Sequence, residues 1–352
     1  ARRAPGRGVI ARSAVAAVLA VLLALAGGGW AQPAWLEARG ELSVTAAVQR
    51  VTVEGLPDAT VARPLTLTAR LDAAAALGER AELVAVLAPS IAFGRPDAPP
   101  DEPLASLGLQ DVYLRLAPTR EVEVGLGVQR WPLGELRLAP TLRLEPQDRF
   151  GSARGLAGAR VTAYLHPWRL RLGAAAPVDD QLRATTWGGV ASLRWDVAAW
   201  TLEASALALD RIGGGLSASG TVDRLVLTGD AWLLEGPWEV RGGLGASGYL
   251  GDVLLTAEAA WAPEGGTLTG APRPTVRLSA QASPARDLAL DVVAGVAWPE
   301  DPATPGQRTL TWDASAALSF DRPDAVLSLA PTLRGGLGTT ALGASLTLRT
   351  FF

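Results

Sequence analysis

The chain offers few side chains that could catalyse a reaction or hold a metal ion. It has no Cys, a single His (His166), and neither Asn nor Lys, so that all 32 basic residues are Arg. Cysteine nucleophiles, disulfides, cysteine-bound zinc and paired His ligands are therefore excluded. Carboxylates, hydroxyls and arginines remain, and from them we predict no catalytic residue, no metal site and no cofactor.

His166 is the one imidazole that could act as a general base. The enzyme it allows is a hydrolase in which His166 activates a serine such as Ser192 or Ser205. However, His166 stands directly before Pro167, in a dipeptide that predicts a tight turn. We therefore expect that the protein is not an enzyme. The positions of its charged residues follow from the secondary-structure elements that contain them.

Those elements show a period of two. In residues 287–298, Leu288, Leu290 and Val292 occupy one face, and Asp287 and Asp291 occupy the other. Similar segments of about nine to twelve residues recur, longer than the usual strand of about five or six and close to the roughly 9 to 11 that cross a bilayer. Alternation alone also allows a soluble β-sandwich, but the strand length favours a membrane barrel.

Tryptophans are placed at the ends of these segments, on the apolar face. Trp187 and Trp195 bracket one segment, with Gly189, Ala191 and Leu193 between them on the same face. Trp168, Trp200, Trp238, Trp261, Trp298 and Trp312 have comparable positions. This arrangement is typical of the aromatic girdles at the two edges of a membrane barrel.

Residues 1–31 have the composition of a secretory signal peptide. Four arginines precede the apolar run 14–26, and small residues follow it up to Ala31. We expect cleavage before Gln32, leaving 32–352 as the barrel domain; the alternative is a buried or membrane-anchoring helix. Removing four Arg and no acid changes the formal charge from −3 to −7, which argues against binding to nucleic acid.

The last segment alternates up to a terminal aromatic residue, with Leu342, Ala344, Leu346, Leu348 and Phe352 in one row. Here the chain resembles the bacterial outer-membrane β-barrel proteins, whose final strand ends in Phe or Trp. The resemblance implies a sorting signal at Leu346, Leu348 and Phe352, read by the barrel-insertion machinery. It implies an outer-membrane location in a Gram-negative-type envelope. The alternative is an edge strand of a secreted sandwich.

We therefore predict an all-β fold: a transmembrane antiparallel up-and-down β-barrel of about 16 strands, within 14 to 18. Counting the strands in the sequence gives 17. A closed antiparallel barrel cannot have an odd number of strands if both chain ends lie on the same side of the membrane. We expect the error between 236 and 285 or in the first sixty residues. Short turns are expected at 117–120, 166–167, 196–199, 235–237, 283–286 and 321–323. Longer loops are expected at 94–103, 131–156, 175–185, 210–221, 263–273 and 299–308.

Two features of the loops bear on function. The loop 131–156 either folds into the lumen and narrows it, or extends two strands as an external hairpin. The glycines Gly213–Gly215 and Gly242–Gly243 lack the strand-to-helix context of a phosphate-binding loop, so we interpret them as loop or bulge glycines.

The charged row must face the lumen, because a charge in contact with hydrocarbon costs about 2 to 4 kcal/mol at the bilayer midplane. The residues predicted to line the lumen are Arg115, Glu121, Glu123, Arg160, Arg169, Arg171, Arg194, Glu203, Arg277, Asp291, Asp313 and Arg349. Arg160, Arg169 and Arg171 form a basic patch that indicates either a preference for anions or ordinary salt bridges inside the lumen.

These observations predict a porin-like outer-membrane channel for passive diffusion of small hydrophilic solutes. The alternative is a closed structural or adhesive outer-membrane barrel without a conducting pore. The expected partners are outer-membrane lipid, the barrel-insertion machinery and small hydrophilic solutes, without nucleic acid; a homo-oligomer is compatible with the sequence.

Overall fold

All regular structure in the described part of the chain is β-strand. The computed structural model describes residues 35–54, 57, 59–62, 65–93, 104–146, 154–179, 183–236, 238–263, 272–300, 308–336 and 339–351. Within these ranges no helix is long and apolar enough to cross a membrane. The proposed signal peptide 1–31 and the terminal Phe352 lie outside the described residues.

The strands follow one another along the whole described chain. They are β1 Leu36–Val53, β2 Ala59–Ala62, β3 Leu65–Gly78, β4 Ala81–Phe93, β5 Leu104–Leu116, β6 Val122–Gln129, β7 Leu156–Leu165, β8 Trp168–Pro177, β9 Gly188–Val197, β10 Trp200–Ala208, β11 Ile212–Val222, β12 Leu225–Leu234, β13 Glu239–Leu250, β14 Val253–Ala262, β15 Arg273–Ala285, β16 Leu288–Ala297, β17 Thr311–Arg322, β18 Ala325–Gly336 and β19 Thr339–Phe351.

The sheet closes on itself. From β3 onward, each strand pairs antiparallel with the next, and β1 pairs with β19 from Glu41↔Phe351 to Val53↔Thr339. On its other edge, β1 pairs first with β3 and then with the short β2, which occupies the same position around the sheet. The described residues therefore form a closed antiparallel barrel of 18 strand positions. This number lies within the predicted range, two above the preferred value of 16.

The two ends of the barrel differ in their connections. At one end, two-residue turns join successive strands, as at 79–80, 166–167, 198–199, 223–224, 251–252, 286–287 and 323–324. The positive φ angles of Ala198, Asp223 and Gly251 fit the hairpin turns that match strand twist. The longest connection, 130–155, is at the other end. We call these the turn end and the loop end.

One predicted loop is a strand. Residues 210–221 were expected to form a long loop, but Ile212–Val222 is β11, and Gly213–Gly215 lie inside it. A Cβ on Gly215 would lie 2.3 Å from the ring of Trp232, and one on Gly213 would lie 2.4 Å from a methyl of Leu234. These glycines therefore make room for large side chains of β12. Because Gly weakens an isolated strand signal, the local pattern indicated a loop.

The recovery of β11 also corrects the strand count. The missing strand lies at 212–222, and not between 236 and 285 or in the first sixty residues. The connection 235–238 consequently lies at the loop end, with 130–155. Gly242 and Gly243, expected in a loop or bulge, lie within β13, paired in regular register with β12.

The barrel has an apolar outer face and a mainly polar inner face. In β10, Leu202, Ala204 and Ala206 are exposed, whereas Glu203 and Ser205 between them are buried. The exposed side chains of neighbouring strands are again large and apolar, as at Leu216 and Leu244. Such an outward surface is unlike that of an ordinary soluble protein, whose apolar patches are small.

Tryptophans on the outer face lie near the two ends of the barrel. Trp168, Trp195 and Trp200 lie near the turn end, where the rings of Trp168 and Trp195 stack at 5.1 Å. Near the loop end are Trp187, Trp238, Trp261, Trp298 and Trp312. Two tryptophans differ from this pattern: Trp131 and Trp232 are buried, at 3% and 2% exposure.

Candidate functional site in the barrel interior

Residues 131–146 of the long connection fold into the barrel. Trp131, Leu142 and Leu144 are buried in one apolar cluster with side chains that point from the wall. The wall side chains of this cluster are Leu156, Ala175, Val190, Leu207, Trp232 and Leu234. They come from strands β7 to β12, and a single segment can contact so many strands only on the concave side of the sheet. Of the two alternatives for this loop, the described part adopts the one inside the lumen. We call residues 131–146 the inner segment.

Asp230, a buried residue of β12, fastens the inner segment at one point. Its carboxylate accepts hydrogen bonds from the backbone N–H of Glu135 at 2.9 Å and of Leu136 at 3.2 Å, and from the hydroxyl of Thr141 at 3.2 Å. Gly134 has a φ of +83°, and a Cβ there would lie 2.8 Å from the same carboxylate. The close approach of backbone to carboxylate therefore requires glycine at this position.

Glu258, on β14, fastens the next residues. Its carboxylate accepts the successive backbone N–H groups of Arg137 at 3.0 Å and of Leu138 and Ala139 at 2.7 Å. Successive N–H groups that converge in this way form a concave anion-binding site. Hydrogen bonds to an ionised carboxylate are roughly twice as strong as neutral ones. Asp230 and Glu258 thus hold the backbone of the inner segment against one wall.

The start of the inner segment is anchored as well. Asp111 of β5 accepts the backbone N–H of Arg130 at 2.8 Å and its Nε at 2.7 Å. Glu145 accepts the N–H of Trp131 at 2.8 Å, which ties the beginning of the segment to its end. The guanidinium of Arg160 lies over the Trp131 ring at 5.8 Å.

Asp111, Asp230 and Glu258 are not among the residues predicted from the sequence to line the lumen. A signal was present, because Asp230 and Glu258 are isolated carboxylates in strands otherwise composed of apolar and small residues. Their partners are backbone N–H groups about a hundred residues earlier in the chain, at separations of 95 and 121 residues. The pattern of charges in the sequence does not indicate backbone partners at such separations.

Several predicted lumen residues form ion pairs with one another. Arg115 contacts Glu82 at 3.1 Å and Glu123 at 3.2 Å, and Arg160 approaches Glu123 at 3.9 Å. These residues lie on adjacent strands β4 to β7. On the far side of the barrel, Arg277 pairs with Asp313 at 2.6 Å.

Three further predicted positions are more dispersed. Arg349 approaches Glu41 at 3.7 Å, and Asp291 accepts a hydrogen bond from Gln281 at 3.5 Å. Glu121 is exposed in the 117–121 connection at the turn end, where its carbonyl accepts the N–H of Tyr164. The structure does not bring Glu121 to the other predicted residues of the interior.

Other predicted residues lie next to the inner segment. Arg194 approaches Glu135 of that segment at 3.9 Å, and Glu203 accepts a hydrogen bond from Ser205 at 3.4 Å. Arg171 lines a narrow cavity with Trp131. The Nε of Arg169 is buried and has no hydrogen-bond partner among the described residues. Arg160 and Arg171 of the predicted basic patch therefore lie next to the inner segment, and Arg169 lies on the same strand as Arg171.

Glu135 is an ionisable group of the inner segment itself. Burial raises the pKa of its carboxyl above the ordinary value of 4.5. Arg194 opposes the increase, whereas the charges of Glu203 and Asp230 add to it. This carboxyl therefore takes up a proton more readily than a free glutamate.

The predicted sorting residues and the single histidine both lie away from the inner segment. Leu346 and Leu348 are exposed on the outer face of β19. His166 is exposed in the turn between β7 and β8, and Ser205, one of its proposed partners, donates instead to Glu203. Within the described ranges, no cluster of three or more His, Cys, Asp or Glu could hold a metal ion.

The sequence matches no protein-family model, and no curated protein matches it significantly. Solved structures do resemble it. A BenF-like porin from Pseudomonas fluorescens Pf-5 superimposes with a TM-score of 0.66 at 10% identity, covering 90% of this chain and 98% of that one. Pseudomonas aeruginosa OccK2 (OpdF), in complex with glucuronate, gives a TM-score of 0.63 at 12% identity, with 90% and 98% covered.

A third similar structure comes from another genus. Acinetobacter baumannii OccAB1 gives a TM-score of 0.61 at 10% identity, covering 90% of this chain and 96% of that one. The coverage extends over nearly the whole of each barrel, whereas the sequences are almost unrelated. The chain therefore has the same fold as these porins, a closed antiparallel β-barrel.

Proposed function

We propose that this protein is a porin-like outer-membrane channel for the passive diffusion of small hydrophilic solutes. One observation carries the proposal: a barrel of 18 strand positions, apolar outside, has charged and hydroxyl side chains inside and an inner segment fastened to one wall. Barrels of 16 to 18 strands are wide enough to leave an aqueous channel. An internal segment that covers part of the wall narrows such a channel without replacing it.

The outer face supports a location in a membrane. Large apolar side chains are exposed around the barrel, and tryptophans lie near both of its ends. This is the surface that hydrocarbon and the two lipid interfaces require. Together with the resemblance of the final strand and the composition of residues 1–31, it supports export and insertion into an outer membrane. Leu346, Leu348 and Phe352 are the residues we propose for recognition by the insertion machinery.

A second candidate function is supported by the apolar cluster inside the barrel. Trp131, Leu142 and Trp232 are buried together in one apolar cluster, as residues of a soluble core are. If such packing extended across the lumen, the protein would be a closed barrel with a structural or adhesive role. The contacts of the inner segment in the described residues are to the wall from β7 to β14, which favours the open channel.

Single-channel recording in planar lipid bilayers distinguishes the two candidates. The channel predicts discrete current steps from purified protein whose folding is shown by heat-modifiable gel mobility. Folded protein that gives no steps over many insertions would contradict the channel and support the closed barrel. Recovery of the protein from cells only with detergent tests the membrane location separately.

A further inference from the structure

The interior of the barrel is divided unequally. The inner segment packs on the wall formed by β7 to β14, which we call the covered wall. There the inward-facing residues Ser192, Asp230 and Glu258 are 4 to 6% exposed. On the opposite side, the inward side chains of Arg70 and Arg349 are 39% and 49% exposed. Water therefore reaches the second wall and is largely excluded from the first.

The water-exposed wall contains a depression that spans β18, β19, β1 and the start of β3. Its cavity has a volume of about 360 Å³. The polar side chains that line it are Thr45, Gln49, Thr66, Thr332, Arg334 and Ser345. Ala47, Ala341 and Gly343 contribute little volume, and a Cβ on Gly343 would lie 2.7 Å from the Thr332 hydroxyl. The depression exists because these residues are small.

The chemistry of this depression is specific. Hydroxyl groups and one amide can donate and accept hydrogen bonds, and Arg334 presents a planar set of donors. No acidic side chain lines the cavity, and among the described residues none forms an ion pair with Arg334. A polyhydroxylated solute satisfies such a set of groups, because each of its hydroxyls both donates and accepts. The volume is sufficient for a molecule of monosaccharide size.

We infer that the solute path is eccentric and follows the wall of β18, β19, β1 and β3, where this depression forms a weak binding site for polyhydroxylated solutes. The inference rests on the proposed channel and adds a position and a solute class to it. Residues of the covered wall, including the predicted basic patch of Arg160, Arg169 and Arg171, then have little direct influence on passage. Arg334 and Thr332 determine it instead.

The absence of cysteine makes substituted-cysteine labelling a clean test of the path. Thr332→Cys places a thiol in the depression, and Ser192→Cys places one on the covered wall. In the folded protein, a charged, membrane-impermeant methanethiosulfonate reagent should modify Thr332→Cys quickly and Ser192→Cys slowly, with both reacting fully after unfolding. Equal rates in the folded protein, or protection of Thr332→Cys, would refute the eccentric path.

The labelling result does not depend on current. Loss of the proposed function would appear as an absence of current steps from folded wild-type protein. A solute path that is not eccentric would appear as equal labelling rates in the folded protein, or as protection of Thr332→Cys. If the protein conducts, modification of Thr332→Cys should also reduce the single-channel current, whereas reagent treatment of Ser192→Cys should leave it unchanged.

D-glucose tests the binding site. Millimolar to molar D-glucose should interrupt or reduce the single-channel current of wild-type protein. Arg334→Gln and Thr332→Val should weaken this effect, by about ten-fold for Arg334→Gln, which loses hydrogen bonds from a charged donor. Arg349→Gln is the matched control, since Arg349 lies on the same wall near the turn end but does not line the depression. An equal loss in Arg349→Gln, or no response of the wild type to glucose, would contradict the site.

Discussion

At the scale of single residues, the interior depends on carboxylates that bind backbone rather than on charges that face solute. Asp230 and Glu258 accept hydrogen bonds from the N–H groups of residues 135–139, and both are nearly fully buried. A buried carboxylate is tolerated only when its lone pairs are satisfied, and here the inner segment satisfies them. The same bonds fix the position of the segment, so one interaction serves both purposes.

Asp230→Asn and Glu258→Gln should each loosen the inner segment. An amide retains one acceptor oxygen but loses the charge, and hydrogen bonds to charged groups are worth about 1.5 to 3 kcal/mol. We expect lower thermal stability, faster proteolysis within 131–146, and a larger or noisier single-channel current. Asp321→Asn, a change at an exposed turn-end residue, is the control and should do none of this. Unchanged proteolysis in both interior variants would show that the bonds do not hold the segment.

Gly134→Ala should have a similar effect through the backbone. Gly134 adopts a φ of +83°, and an added Cβ would meet the Asp230 carboxylate at 2.8 Å. A left-handed conformation costs a residue with a Cβ about 1 to 2 kcal/mol, before any clash is counted. Gly236→Ala also has a positive φ, but nothing lies within 4 Å of its added Cβ. The difference between the unfolding free energies of the two variants therefore isolates the contribution of the Asp230 contact. Gly134→Ala should lower the unfolding free energy more than Gly236→Ala does.

Glu135→Gln should stabilise the protein at neutral pH and not at low pH. Burial raises the pKa of Glu135 in the folded state above its usual 4.5, so the ionised form destabilises the fold at pH values above the folded pKa. Well below pH 4.5 the wild-type carboxyl is protonated in both states and resembles Gln. The difference in melting temperature should thus be positive at pH 8 and disappear on acidification. A difference independent of pH would mean that the charge of Glu135 is not its cause.

At the scale of elements, the glycines of β11 show how one strand is shaped by the side chains of the next. Gly215 faces inward beneath the Trp232 ring, whereas Gly214 faces the other side, with its nearest non-neighbour atom at 3.6 Å. Trp232 in turn packs on Trp131 and Leu142 of the inner segment. The small residue in β11 and the position of the inner segment are therefore linked through one aromatic side chain.

Gly215→Val and Gly214→Val form a matched pair of variants that tests the packing of Trp232 against Gly215. Both place a β-branched residue in the same strand, which by itself favours strand structure. Gly215→Val should displace Trp232 and destabilise the barrel by about 1 to 3 kcal/mol, the usual cost of overpacking. Gly214→Val should be neutral or stabilising. Denaturant titration of protein refolded into detergent measures the stability of both variants. Equal destabilisation would mean that contact with Trp232 is not the reason why residue 215 is glycine.

At the scale of the whole molecule, the barrel reverses the arrangement of a soluble protein over most of its surface. Leu244 and Leu250 are 73% and 71% exposed, on the same face of β13. The inner face carries ion pairs such as Arg277–Asp313, and an apolar cluster where the inner segment covers the wall. Among the described strands the sheet closes through the pairing of β1 with β19 and has no unpaired edge strand, which an open sheet in hydrocarbon could not avoid.

Leu244→Arg and Leu250→Arg test the membrane location of this surface. Leu244 is in the middle of β13, and Leu250 is its last residue, next to the turn at 251–252. Arginine on the lipid face costs about 2 to 4 kcal/mol at the midplane and about 0 to 1 near the interface. The free energy of folding into lipid vesicles should therefore be much less favourable for Leu244→Arg than for Leu250→Arg. Similar folding free energies for the two variants would contradict a bilayer around this part of the barrel.

The sequence by itself determined the features that depend on neighbours along the chain. Alternation in 287–298 assigns Leu290 and Asp291 to opposite faces, and the His166–Pro167 turn separates β7 from β8, because strand periodicity and turn chemistry are local. Only the tertiary structure decided that residues 131–146 lie inside, that β11 is a strand, and that Arg160 lies on the covered wall. These depend on partners such as Asp230 and Trp232, which are distant in sequence. A hydrogen bond to a backbone N–H leaves no trace in the residue type of the donor, so pattern alone could not reveal it.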